Sequence, residues 1–169
     1  QTGPSSRGLL AAGALMELEN VIRALAQGRR CARDPLEYYV SVFGTPDAHG
    51  SWSWRFEGHH LSLHFTVVAG EITVSTPTFM GTNPAELREG PNKGQRPLGA
   101  QEDRARALAR SLTETQRGAG LIADVAPAEI TTTNSYPIEP LKPAGILATA
   151  LSAEQQEMLK ALIESHASL

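Results

Sequence analysis

The sequence predicts an α+β fold: a four-stranded antiparallel β-meander, one long helix before it and three to four helices after it. Three observations carry that expectation. Between Glu37 and Pro77 the apolar residues recur with period two. On either side of that stretch they recur with the three-and-four spacing of a helix. Within it, the pairs Glu57-Gly58 and Ala69-Gly70 interrupt the alternation at the spacing of tight hairpins.

Composition bounds the rest. The 169 residues carry 15 Lys+Arg against 18 Asp+Glu, a formal net charge of −3, and 41% are hydrophobic. That balance excludes a disordered chain and a general nucleic-acid binder. No run of 18 apolar residues is present, which excludes a membrane-spanning helix. A single cysteine, Cys31, excludes an internal disulfide. A chain of this length buries roughly 70% of its unfolded surface, so residues 1–169 are read as one α+β domain. The polar start, Gln1 to Arg7, has no basic and apolar leader pattern, and the chain opens without Met. The expectation is therefore a piece of a longer protein, with no compartment legible.

The elements follow in order. Ser5 or Ser6 caps a helix of some twenty residues whose stripe is Leu15, Leu18, Ile22 and Leu25, with Gly28 as its stop. Glu37 to Phe43 (EYYVSVF) is a β-branched and aromatic strand, and Gly44 to Gly50 is a loop. Strands Ser51 to Phe56, His59 to Val68 and Glu71 to Thr76 complete the meander. With Glu57-Gly58 as the first turn, Phe56 meets His59, Arg55 meets His60, Trp54 meets Leu61, Ser53 meets Ser62 and Trp52 meets Leu63. With Ala69-Gly70 as the second, Val67 meets Ile72, Phe65 meets Val74 and His64 meets Ser75. Apolar then pairs with apolar and polar with polar, which a one-residue slip would destroy. One face carries Trp52, Trp54, Phe56, His59, Leu61, Leu63, Phe65, Val67, Ile72 and Val74. The other carries Ser51, Ser53, Arg55, His60, Ser62, His64, Thr66, Thr73 and Ser75.

Beyond the sheet, Asn83-Pro84-Ala85-Glu86 reads as an N-cap, a first-turn Pro and an N3 Glu opening a short helix that stops at Gly90. Gly90 to Gly99 is a loop. Gln101-Glu102-Asp103 opens a helix with the stripe Ala105, Leu108, Ala109 and Leu112. Thr113 to Gln116 is a capping-box pattern for a helix running toward Val125, and Ser152 to Gln155 repeats it before the stripe Met158, Leu159, Leu162 and Ile163. Pro127 to Gly145 holds four prolines and reads as an irregular crossing. The helices after the sheet are expected to pack on the face of Trp52, Trp54, Leu63 and Phe65.

The densest group of reactive side chains is Trp52 to His64 (WSWRFEGHHLSLH). On a strand, His59 and His60 would point to opposite faces, and His60 and His64 would lie about 13 Å apart at roughly 3.3 Å per residue. One ion cannot take that pair, so any metal at His60 needs partners from elsewhere in the fold. His59, in the apolar row, reads as a core histidine satisfied by backbone or a carboxylate. Arg55 opposite His60 would keep the imidazole neutral, suited to a general base or a metal ligand, and could grip a carboxylate or phosphate. Glu57 at the turn is either a surface residue or the group that orients a histidine, and Ser62 lies beside them on the same face. In the Gly90 to Gly99 loop Lys93 and Arg96 offer a second anion contact, without any Walker or dinucleotide motif. Arg29, Arg30 and Arg33 form a basic cluster, and Cys31 between them is a bystander or an activated thiol. No G-x-S-x-G elbow anchors serine hydrolysis.

Residues Trp52 to Leu63, W-S-W-R-F-E-G-H-H-L-S-L, resemble the W-G-W-R-x-E-G-H-H-L-S-L hallmark of a mainly bacterial family, domain of unknown function 3500. Tyr39 to Pro46, Thr76-Pro77 with Gly81 to Glu86 (GTNPAE), Gly90 to Leu98 and Ser111 to Arg117 extend the likeness. The chain departs from the family pattern at His64, where members usually carry Asn. The resemblance implies longer chains that continue past the position of Leu169 into a segment with Asn-x-x-His-x-His and Arg-Asp patterns, and export of many members. No reaction follows from it. The expectation is an enzyme, or part of one, that binds a small anionic substrate near the His59/His60 hairpin with metal assistance. In it Arg55, Ser62 and Arg96 bind, His60 acts as base or ligand, and Glu57 orients it. The alternative is a binding or assembly module whose polar sheet face or apolar patch docks a ligand, a second copy or the missing C-terminal segment. No nucleic-acid or membrane partner is expected.

Overall fold

The computed structural model describes residues 3–25, 34–133 and 139–169. Gly28, Cys31 and the basic cluster Arg29, Arg30 and Arg33 lie outside the described residues. The chain divides into two compact units, Gln1–Gln101 with Ser165–Leu169, and Glu102–Glu164.

The first unit is the α+β part. Helix α1 (Ser6–Leu25) is capped by Ser5, whose Oγ accepts the Gly8 N–H at 3.0 Å. Strands β1 (Tyr39–Phe43), β2 (Ser51–Glu57), β3 (Leu61–Val68) and β4 (Glu71–Val74) form the expected antiparallel meander in the order β1-β2-β3-β4. A fifth strand, β5 (Thr78–Met80), pairs with β3 through Leu61↔Met80, Ser62↔Phe79 and Leu63↔Thr78. It is too short to announce itself as alternation. Leu61, Leu63, Phe65 and Val67 are buried in alternation along β3, and the first three cluster with Ala12, Leu15 and Leu18 of α1 and with Leu87 from the following loop. The helix that covers this face within the unit is α1.

The register of the first hairpin differs from expectation. Glu57 pairs with Ser62, Phe56 with Leu63, Arg55 with His64, Trp54 with Phe65, Ser53 with Thr66 and Trp52 with Val67. The turn tip is His59-His60, closed by the Gly58 N–H on the Leu61 carbonyl at 2.8 Å, and not Glu57-Gly58. The partner shift is four residues. An even shift leaves each strand residue on its expected face, so the polar-apolar pattern could not tell the two registers apart. The observed one pairs seven residues of β2 instead of five and stacks Trp54 on Phe65, centroids 4.8 Å apart.

The second turn is as expected. Ala69-Gly70 adopts positive φ (51° and 81°), Val68 faces Glu71 and Val67 faces Ile72. A bulge between Thr66 and Val67 then pairs Thr66, not Phe65, with Val74. The extra residue turns Val74 off the apolar face, leaving it 45% exposed. The helix expected from Asn83 does not form. Buried Leu87 instead anchors a loop, donating to the Gln95 carbonyl and accepting from the Gly94 N–H. A pattern this short does not offset the cost of helix nucleation.

In the second unit both capping boxes are real. Helix α2 (Gly99–Ser111) is followed by α3 (Glu114–Gly120), where Thr113 and Gln116 exchange side-chain and backbone hydrogen bonds. Helix α3 stops at Gly120, short of Val125. Helix α4 (Ala153–Ala167) opens with the same reciprocal bonds between Ser152 and Gln155. Gln155 is buried and also donates to the Ser111 carbonyl and Gln116 Oε1. The stripes are only partly buried: Leu108, Leu112, Met158, Leu159 and Leu162 are intermediate, whereas Ala105, Ala109 and Ile163 are exposed. Residues 121–133 and 139–147 are irregular, as expected of the crossing, and 134–138 lie outside the described residues.

Candidate metal centre

The stripe of α1 contains a residue that does not belong there by hydropathy. Glu19 follows Leu18 on the face that Leu15 and Ile22 share, and it is fully buried. A carboxylate taken out of water must find partners, because an uncompensated buried charge costs several kcal/mol, on the order of 3–5. Tyr38, just before β1, donates its hydroxyl to Glu19 Oε1 at 3.1 Å. The tip of the β2–β3 turn supplies the rest: His59 Nδ1 lies 3.0 Å and His60 Nδ1 3.7 Å from the same oxygen. The two imidazoles stack with centroids 3.9 Å apart. Adjacent histidines on a strand would diverge, whereas at a turn tip the backbone reverses and both reach the same carboxylate.

Backbone detail holds the cluster in place. A β-carbon at Gly58 would clash with the Tyr38 ring, so glycine there lets the phenol sit where it reaches Glu19. The His60 N–H points at the Tyr38 hydroxyl oxygen at 3.4 Å, and the Gly81 N–H ties the His60 carbonyl to the end of β5 at 2.9 Å. Burial, chiefly, and the Glu19 carboxylate push the Tyr38 phenol above its ordinary pKa, against the smaller lowering by the His60 N–H. The phenol therefore stays a donor. Glu19 Oε2 is buried with no hydrogen-bond partner among the described residues. The His60 side chain is 13% exposed and that of His59 40%, so the cluster is closed at the helix and open at His59.

The donor set is two imidazole nitrogens and one carboxylate, with one ligand atom from each lying within 4.8 Å of the others. Ligands bound at about 2.1 Å and right angles stand about 3.0 Å apart, so the spacing suits one ion. Imidazole with carboxylate suits zinc or iron(II), and three protein ligands leave positions open for water or substrate.

The residues expected from the sequence divide among three places. His60 belongs to this cluster, but the carboxylate it meets is Glu19 and not Glu57. Glu57 pairs with Arg55 at 3.0 Å on the other sheet face, where the Arg55 guanidinium lies 5.6 Å over the Phe43 ring. Arg55 is opposite His64 and not His60. Ser62 is a half-buried neighbour of Glu57. Arg96 sits in the turn before α2, its carbonyl accepting from the Gly99 N–H. His59 meets a carboxylate, as expected, in its contact with Glu19, but it stands exposed at the turn tip and is not a core histidine in the apolar row. Glu19 and Tyr38 were missed. The available signal was the acid set directly in the helix's apolar stripe.

An α+β protein in which a buried helix glutamate meets two histidines at a hairpin tip is the class that fold and site define. The chain matches the family model "Protein of unknown function (DUF3500)" over residues 1–169 and belongs to that family. No curated protein and no solved structure matches it.

Proposed function

We propose that Glu19, His59 and His60 bind a divalent transition-metal ion and that this centre serves a metal-assisted reaction of a small molecule. The observation that supports it most is Glu19: a fully buried carboxylate with one oxygen unpartnered among the described residues and two imidazole nitrogens beside the other. A bound ion would act as Lewis acid and lower the pKa of a coordinated water. Tyr38 holds the carboxylate in place as an outer partner. The anionic-substrate part of the reading rests on Arg55, Ser62 and Arg96, none of which belongs to this cluster. It requires a substrate carboxylate or phosphate to replace Glu57 at Arg55, since Glu57 now occupies the guanidinium.

The test is calorimetric titration of the chain with Zn2+ and Co2+, the latter also followed by its visible spectrum. One ion per chain is expected. Glu19→Gln and His60→Ala should weaken it by more than the roughly 10–100-fold that an outer partner is worth, and Tyr38→Phe by an amount within that range. Substoichiometric binding, indifferent to Glu19→Gln and His60→Ala, would show the cluster to be a structural pin between α1 and the hairpin. A second reading, an assembly module, is favoured by one observation: Val40 and Val42 of β1 stand 66% and 51% exposed.

A further inference from the structure

Strand β1 is the edge of the sheet, and among the described residues no strand pairs with its outer side. Soluble proteins blunt such edges with lysine, proline or a bulge, because an open row of N–H and C=O groups recruits another strand. Tyr39-Val40-Ser41-Val42-Phe43 has none of these devices. Tyr39, Val40, Val42 and Phe43 are all exposed, and nothing charged lies among them.

The strand also reads nearly the same in both directions: aromatic, Val, Ser, Val, aromatic. Its pairing with β2 sets the faces. Val40 and Val42 lie with Phe56 and Trp54 on the apolar side, and Tyr39, Ser41 and Phe43 lie with Glu57, Arg55 and Ser53 on the polar side. A two-fold axis perpendicular to the sheet, midway between Ser41 and its copy, sets Ser41 opposite Ser41 of a second copy, Val40 opposite its Val42, and Tyr39 opposite its Phe43. Each face then continues into the same face of the second sheet. A slip of one residue opposes residues from unlike faces, and a slip of two sets Ser41 against an aromatic.

We infer that β1 is a self-recognition edge: two copies of this chain join antiparallel through Tyr39–Phe43, centred on Ser41, into one ten-stranded sheet. A closed two-fold contact of this kind uses one edge from each copy and stops at a dimer. The inference does not depend on metal binding.

The experiment is sedimentation velocity on the chain over a wide concentration range, with far-UV circular dichroism on each variant. The wild type is expected to run at twice its 18.1 kDa mass. Val40→Lys with Val42→Lys opposes lysine to lysine twice and should raise the dissociation constant at least tenfold. Val40→Lys with Val42→Glu opposes lysine to glutamate twice and should restore the dimer. Ser41→Cys in a Cys31→Ser background should oxidise to a covalent dimer. A wild type that stays monomeric at every concentration overturns the inference. So does a dimer that responds equally to the two double variants, because only the two-fold register distinguishes them.

Discussion

Glu19 carries the tension of the molecule in one residue. A leucine there would continue the stripe of Leu15 and Leu18 and pack without cost. The carboxylate instead needs Tyr38 and two histidines, and these are what its position in α1 recruits. The hydroxyl of Tyr38 is the link that can be removed most cleanly. Tyr38→Phe keeps the ring contact with Phe56, 5.8 Å between centroids, and deletes only the donor to Glu19. The expected loss is about 1–3 kcal/mol of stability, read by chemical denaturation. Its pH dependence has a definite sign. The folded state raises the Tyr38 pKa above its ordinary value of 10.0, so the fold favours the protonated phenol. The advantage of wild type over Tyr38→Phe should be complete below that value and fade as pH rises through the folded pKa. An advantage that grows with alkali would contradict the assignment. At this scale the sequence was half legible. His59 was readable as a histidine met by a carboxylate, but which carboxylate depended on a contact 40 residues away in sequence.

Between residue and fold, the two hairpins show which signals are local. Ala69-Gly70 was legible because a two-residue loop with both φ positive needs a glycine, and one was there. The first turn was not legible in the same way. Glu57-Gly58 resembled a turn, yet the chain reverses two residues later, where His59 and His60 are held by Glu19 rather than by local conformation. The capping boxes at Thr113 and Ser152 were legible because all their partners lie within four residues. The bulge opposite Thr66 and the short β5 were not, since both arise from what β3 meets across the sheet. The second turn also carries a defect that can be repaired. Ala69 holds φ 51°, a left-handed conformation that costs a β-carbon about 1–2 kcal/mol and that asparagine tolerates better. Ala69→Asn should raise the stability by roughly 0.5–1 kcal/mol, read as a higher denaturation midpoint, without altering the register. An unchanged or lowered midpoint would show that the turn is held by contacts beyond its own backbone.

Across the whole molecule, the sequence announced its class through periodicity, and its family through the hallmark that includes His59 and His60. What periodicity cannot show is that this hallmark folds into a hairpin tip placed on a helix some 40 residues earlier. Proximity of that kind makes ligand binding and folding one equilibrium. An ion bound only when Glu19, His59 and His60 are assembled stabilises the folded state by RT ln(1 + [L]/Kd), about 2.7 kcal/mol at a hundred times Kd. A thermal melt with excess Zn2+ should therefore rise by several degrees and return on chelation. Glu19→Gln separates the possible causes. The substitution removes a buried charge while keeping the shape, so the metal-free protein should be as stable as wild type or more so. Its melt should no longer respond to zinc. A zinc shift that survives Glu19→Gln would place the ion elsewhere, and a metal-free variant that fails to fold would assign Glu19 a structural role in joining α1 to the hairpin. Hydrogen exchange gives the same answer by position: zinc should slow exchange in α1 and at residues 58–61, where the ligands lie, and that protection should vanish in Glu19→Gln.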